Sequence, residues 1–254
     1  MTLLTVTGLH KSYAGVHAVH DLSYTVPRGS IVGLIGPNGS GKSTSIDCIS
    51  GFQRPDAGRW SLADRELTGL PAHALAQAGL TRTFQTVRAY GELSLTENLC
   101  VAAQEHDGVG WWQSLRRSTA CRTADAAARA RALDLLEQIG LADYRDAPAQ
   151  VLSYGQSKLL AIAAAMMAGP LLAILDEPVA GVNPTMVRRI AAIIRSLNQQ
   201  GVTFLIVEHN VDFIMSLCAQ VIVLDAGRKI ADGPAGAIRT DPRVLEAYLG
   251  IAPA

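Results

Sequence analysis

With 254 residues, 49% of them hydrophobic and 17% charged, the chain can build a large buried core and is not a disordered segment. Lysine plus arginine and aspartate plus glutamate each total 22, so bulk charge gives no support to a generic nucleic-acid binder. Cys48, Cys100, Cys121 and Cys218 are scattered without C-x-x-C spacing, which argues against a disulfide framework.

The N-terminus shows no basic stretch followed by a long apolar run, so no signal peptide is expected. Leu3–Leu9, Ala18–Val26 and Ser30–Ile35 read as strands, the last a short apolar run feeding a glycine loop. A helix is predicted from Lys42 to about Gly51, with Pro55 beyond it, and Gly79–Phe84 reads as another short strand. Ser94 to Glu97 is a capping box, Gly108 to Trp112 is loop-like, and Ala124–Ile139 is helical and closes at Gly140. No strand is expected between Glu92 and Ala168, so residues 92–168 are read as an inserted helical lobe, with 1–91 and 169–254 as the α/β catalytic core of a single domain.

The apolar run Leu159 to Leu175 is broken by Gly169-Pro170, which predicts a buried helix, a turn and a buried strand rather than a membrane span. Strands Leu171–Leu175, Thr203–Val207 and Gln220–Leu224 alternate with helices Pro184–Gln199 and Val211–Leu217, as in a mostly parallel α/β sheet. Asp225 to Arg228 reads as the turn of a late hairpin.

Gly36, Pro37, Asn38, Gly39, Ser40, Gly41, Lys42, Ser43 and Thr44 fit G-x-x-x-x-G-K-[ST] between a predicted strand and a predicted helix. Glycines let the backbone wrap a phosphate, and the helix start adds the positive end of its dipole. Lys42 is expected to reach the β- and γ-phosphates, and Ser43 to ligate Mg²⁺. Downstream, the apolar strand 171–175 ends in Asp176, followed by Glu177-Pro178. Asp176 suits a water-bridged Mg²⁺ ligand, and Glu177 can polarise the water that attacks the γ-phosphate of ATP.

Together with Leu152, Ser153, Tyr154, Gly155 and Gln156, these residues make the chain resemble, over nearly its whole length, the ATPase subunits of ABC transporters. The resemblance implies a phosphate-loop, RecA-like core with an N-terminal antiparallel β subdomain and an inserted helical lobe. It makes Tyr13 the aromatic that stacks on adenine. Gln85, in Thr83-Phe84-Gln85, becomes the residue that contacts Mg²⁺ and the attacking water and faces the membrane partner. His209, in Val207-Glu208-His209, becomes the switch histidine at the γ-phosphate. Ser153, Gly155 and Gln156 would face the nucleotide bound by a second subunit, so that ATP joins a head-to-tail pair.

Ala180-Gly181-Val182-Asn183-Pro184, the tyrosine in the signature and the ending Asp241 to Gly250 resemble the branched-chain amino-acid, amide and urea importers. That branch implies a paired ATPase subunit (paralogue or self), two membrane permeases and a periplasmic or lipid-anchored binding protein, and a place at the inner face of the plasma membrane. Exporters, lipid-extraction ATPases and soluble ABC ATPases share the same ATP residues and stay open as alternatives. Departures from the pattern are the single base Lys158 after the signature and Ala163–Ala165 where relatives often carry arginine. Arg116, Arg117, Arg122, Arg129 and Arg131 in the lobe read either as a solvated helix face or as a basic patch.

Overall fold

Alternating apolar residues pair the first two strands, β1 (Thr2–Tyr13) and β2 (Val16–Pro27), into an antiparallel hairpin. Its two-residue turn, Ala14 and Gly15, has both φ positive, the geometry that matches strand twist. Pairing therefore continues to Tyr13↔Val16, further than the apolar stretch Leu3–Leu9 predicts. The computed structural model describes residues 1–84, 89–103 and 119–249, without the side chains of 119–122 and 249. Gln85, the loop predicted at 108–112, Arg116, Arg117 and the Arg122 side chain lie outside the described residues.

A second pair, β4 (Ala57–Leu62) and β5 (Arg65–Glu66), completes a four-stranded sheet of order β2-β1-β4-β5. No element is predicted there because only Trp60 and Leu62 of β4 are buried, too short a signal to read. The main sheet has order β10-β9-β3-β8-β7-β6, where β3 is Ile31–Ile35, β6 Leu80–Arg82, β7 Leu172–Asp176, β8 Thr203–Val207, β9 Gln220–Asp225 and β10 Arg228–Pro234. All its pairings are parallel except β9 with β10, the predicted late hairpin.

Strands β3 and β8 are buried at every position, as expected of strands covered on both faces. Val32 and Leu34 face a core shared with the antiparallel sheet and helix α1 (Lys42–Ile49). Ile31 and Ile35 face a second core built with the helices that follow residue 94.

Helices α2 (Ala72–Gln77), α3 (Leu95–Ala102), α4 (Thr119–Gln138) and α5 (Tyr154–Met167) come next in the chain. The capping box at Ser94 and Glu97 is formed, and α4 starts five residues earlier than predicted. Helices α3, α4 and α5 pack on one another, and the described residues of 92–168 hold no strand. Arg131, read from sequence as one of a possible basic patch, donates to the carbonyl of Met166 at 2.8 Å and so ties α4 to the end of α5. The run 159–175 resolves into α5, a turn at Gly169-Pro170 and β7, and among the described residues no helix is long and apolar enough to cross a membrane. Helices α6 (Pro184–Gln199), α7 (Val211–Leu217), α8 (Ala235–Ile238) and α9 (Pro242–Leu249) complete the fold.

Candidate functional site

Four neighbouring strands, β3, β8, β7 and β6, run parallel, so their C-terminal ends lie side by side at one edge of the sheet. Ligands of open α/β sheets bind at such edges. Here the edge delivers the loop 36–44 from β3, Glu208 and His209 from β8, Asp176 and Glu177 from β7, and Arg82 and Thr83 from β6.

The loop lies so close to neighbouring backbone that Gly36 and Gly41 leave no room for a Cβ. A Cβ on Gly41, whose φ is +95°, would lie 2.3 Å from the Ala18 carbonyl oxygen, and one on Gly36 would lie 2.2 Å from that of Leu224. Gly227, in the β9–β10 turn, donates its N–H to the Ser40 carbonyl at 3.1 Å. No side chain caps the start of α1, which leaves its first N–H groups for a ligand. The Lys42 ammonium donates to the carbonyls of Gly36 and Pro37, both at 2.8 Å, and Ser43 is exposed beside it. Burial pushes the Lys42 pKa down, opposed by the nearby Glu177 and Asp176 carboxylates. These features suit a bound phosphate chain.

Asp176 is 13% exposed and accepts from Arg82 at 2.9 Å, while its N–H donates to the Thr83 hydroxyl at 3.2 Å. Glu177 follows in the left-handed region, φ +47°, with its N–H on the Val207 carbonyl at 2.9 Å. A non-glycine residue held there stores about 1–3 kcal/mol, a cost that recurs at functional sites. His209 Nδ1 lies 3.7 Å from a Glu177 carboxylate oxygen. Among the described residues no group of three His, Cys, Asp or Glu could hold a metal.

Tyr13 ends β1 with its ring exposed and the Lys11 ammonium 5.5 Å from the ring centroid, a surface on which a flat base can lie. Ser153 and Gln156 form a capping box at the start of α5, and Ser153 and Tyr154 stay exposed. Among the described residues no hydrogen bond joins 153–156 to the loop 36–44.

A family described as ABC transporter matches residues 19–180. The chain belongs to the ABC transporter family. A second family, described as branched-chain amino acid ATP-binding cassette transporter, matches residues 228–252 of this ABC ATPase. The high-affinity branched-chain amino acid transport ATP-binding protein BraF of Pseudomonas aeruginosa is 38% identical over 249 residues, 98% of each chain. The lipopolysaccharide export system ATP-binding protein LptB of Escherichia coli is 35% identical over 250 residues, again 98% of each. Two solved cassettes of ABC transporters, one nucleotide-free and one in an ADP conformation (MJ1267), superpose with TM-scores of 0.86 and 0.85. Each is 32% identical, covering 99% of this chain and 100% of its own. Nucleotide binding and ATP hydrolysis are thus the chemistry of this ABC ATPase.

Three contributors escape the sequence reading. Arg82 sits beside Asp176. Lys158, only 3% exposed, donates to the Glu177 carbonyl at 3.1 Å and so ties α5 to the end of β7. Glu208 is fully buried: Val179 N–H donates to one carboxylate oxygen at 3.0 Å, and the N–H groups of His209 and Asn210 donate to the other at 3.1 and 3.2 Å. An acidic residue ending an apolar strand was the available signal, the same one that marks Asp176.

Burial raises the Glu208 pKa above its ordinary 4.5, against the pull of those N–H donors. Because the folded value lies above the unfolded one, Glu208 costs the parent stability as pH climbs from 4.5 through the folded value. Glu208→Gln leaves a buried N–H unaccepted and should destabilise the fold by about 1–3 kcal/mol at acid pH. That deficit should narrow as pH rises, since glutamine does not ionise. Urea unfolding of both proteins across this window is the check, and a widening deficit would contradict it.

Proposed function

We propose that this ABC ATPase is the energy-coupling subunit of an importer for branched-chain or other hydrophobic amino acids, amides or urea. The match of residues 228–252 to the branched-chain cassette family is the observation that carries this reading. The similarity to LptB supports a lipid-export alternative, and the C-terminal match weighs against it.

In this reading the loop 36–44 cradles the triphosphate, Tyr13 stacks on adenine, Glu177 polarises the attacking water, and His209 and Gln85 contact the γ-phosphate side. Mg²⁺, held by Ser43, by Gln85 and through water by Asp176, would neutralise charge at the β- and γ-phosphates. Ser153, Gly155 and Gln156 serve the site of a paired subunit, a paralogue or a second copy. The exposure of Ser153 and the half-burial of Gly155 and Gln156 at a helix start, with no hydrogen bond to the chain's own loop among the described residues, support that division. Residues 92–168 act as a helical lobe that moves relative to the α/β core.

The chain acts from the inner face of the plasma membrane, through two permease subunits served by a periplasmic or lipid-anchored binding protein. No nucleic acid takes part. A groove of about 380 Å³ between α2, β6 and α5 supports a docking place for a permease segment. Its walls are largely alanine methyls (Ala72, Ala76, Ala161, Ala164 and Ala165) with Phe52 and Phe84, the latter next to Gln85 in sequence. Such an apolar trough fits an apolar helical segment.

Co-purification from membranes tests the whole reading. The tagged chain should bring down a permease and a second ATPase, and ATP turnover of that complex should rise with a binding protein loaded with a branched-chain amino acid. Lipopolysaccharide-export partners in its place would overturn it. Ala165→Arg, which puts a charge in the trough, should abolish permease capture while nucleotide binding persists.

A further inference from the structure

Arg82, at the end of β6, has two kinds of neighbour. Its guanidinium donates to the carboxylates of Asp47 at 2.6 Å and Asp176 at 2.9 Å, and to the Ser50 hydroxyl at 3.0 Å. The same group lies 5.6 Å from the Phe52 ring centroid and 5.5 Å from that of Phe84. Those two rings meet edge to face at 5.3 Å, are exposed, and form one wall of the alanine-lined groove.

We propose that Arg82 is a positioning residue that couples the groove to the site: what presses on Phe52 and Phe84 moves the guanidinium, and with it the Asp176 carboxylate presented to Mg²⁺. This rests on the groove being the permease dock. The two terminal nitrogens of Arg82 reach carboxylates on different elements, α1 and β7, a fork that a lysine cannot reproduce. Its side chain is only 9% exposed, so these interactions are weakly screened by solvent. Attraction between the cation and the rings holds only within about 6 Å of a ring centroid, so displacing the rings changes where the guanidinium rests. Thr83 ties the same strand end to β7 twice, through its N–H on the Ile174 carbonyl at 2.9 Å and its hydroxyl under the Asp176 N–H at 3.2 Å. A shift at the groove therefore reaches Asp176 instead of being absorbed in a loose loop.

The test titrates magnesium chloride into the purified full chain and follows binding of a fluorescent ATP analogue, with circular dichroism reporting the fold. Arg82→Lys keeps the charge but loses the fork, and should raise the half-saturating Mg²⁺ about tenfold while binding in EDTA stays at the parent value. Phe52→Leu with Phe84→Leu keeps the wall apolar but removes the ring faces, and should raise it about threefold. Combined, the three changes should give less than the product of the two effects, because both act through one guanidinium. A leucine pair with the parent Mg²⁺ response, or a combined variant showing the full product, overturns the proposal. If Arg82→Lys does not fold, the leucine pair decides alone. Failure of the groove reading appears elsewhere, as permease capture retained by Ala165→Arg.

Discussion

Glu177→Gln should lower ATP turnover by about 10²–10⁴-fold, the range that a positioned general base contributes, while ATP binding persists. The substitution keeps size and hydrogen-bonding capacity in a residue held at φ +47° by its N–H on Val207 and its carbonyl under Lys158, so the local backbone should survive. What it removes is the carboxylate 3.7 Å from His209. In the proposed paired site, blocked hydrolysis would leave the γ-phosphate in place between two subunits, and the pair should not open. Size-exclusion chromatography with ATP, of the variant alone or mixed with a second ABC ATPase subunit captured with it, should show an accumulated dimer. A monomer that still carries ATP would contradict both the role of Glu177 and the shared site.

Lys42→Ala should cut turnover by about 10²–10³-fold, the effect of removing one donor aimed at developing charge. In the structure the ammonium rests on the loop's own carbonyls, Gly36 and Pro37. In the proposed site a phosphate would replace those neutral acceptors by charged ones, an exchange favoured because burial has already stripped the ammonium of part of its water. Removing it leaves the loop's shape to Gly36, Gly41 and their backbone neighbours, so the variant should fold. Phosphate release and binding of a fluorescent ATP analogue are the measurements. Substantial turnover in a clean preparation would sink the assignment of the loop.

The resemblance to the ABC ATPases drawn from the loop, the Asp176-Glu177 strand end and the signature is matched by the family comparison. Most strands and helices were legible too, because buried parallel strands are unbroken apolar runs and α3 announces itself with a capping box. Less legible were β4, β5 and α2. The short apolar signals of β4 and α2 acquire meaning only when β1 offers an edge and β6 a neighbour, and β5, Arg65–Glu66, has no apolar residue and forms only by pairing with β4.

Residue chemistry in local order was enough to determine the phosphate cradle, the acidic strand end and the mostly parallel sheet between helices. Each depends on neighbours a few positions apart: glycine spacing, an apolar run with its terminal carboxylate, the alternation of strand and helix. Tertiary structure alone decided that Arg82 bridges Asp47 and Asp176, that Glu208 joins the Val179 N–H to the His209 turn, and that Lys158 holds the carbonyl of Glu177. Apart from the adjacent Glu208–His209 pair, those contacts span 19 to 94 positions of sequence. They exist because the order β3-β8-β7-β6 brings four strand ends together, and a chain that folds by burying apolar faces reveals such an order only once the faces have met.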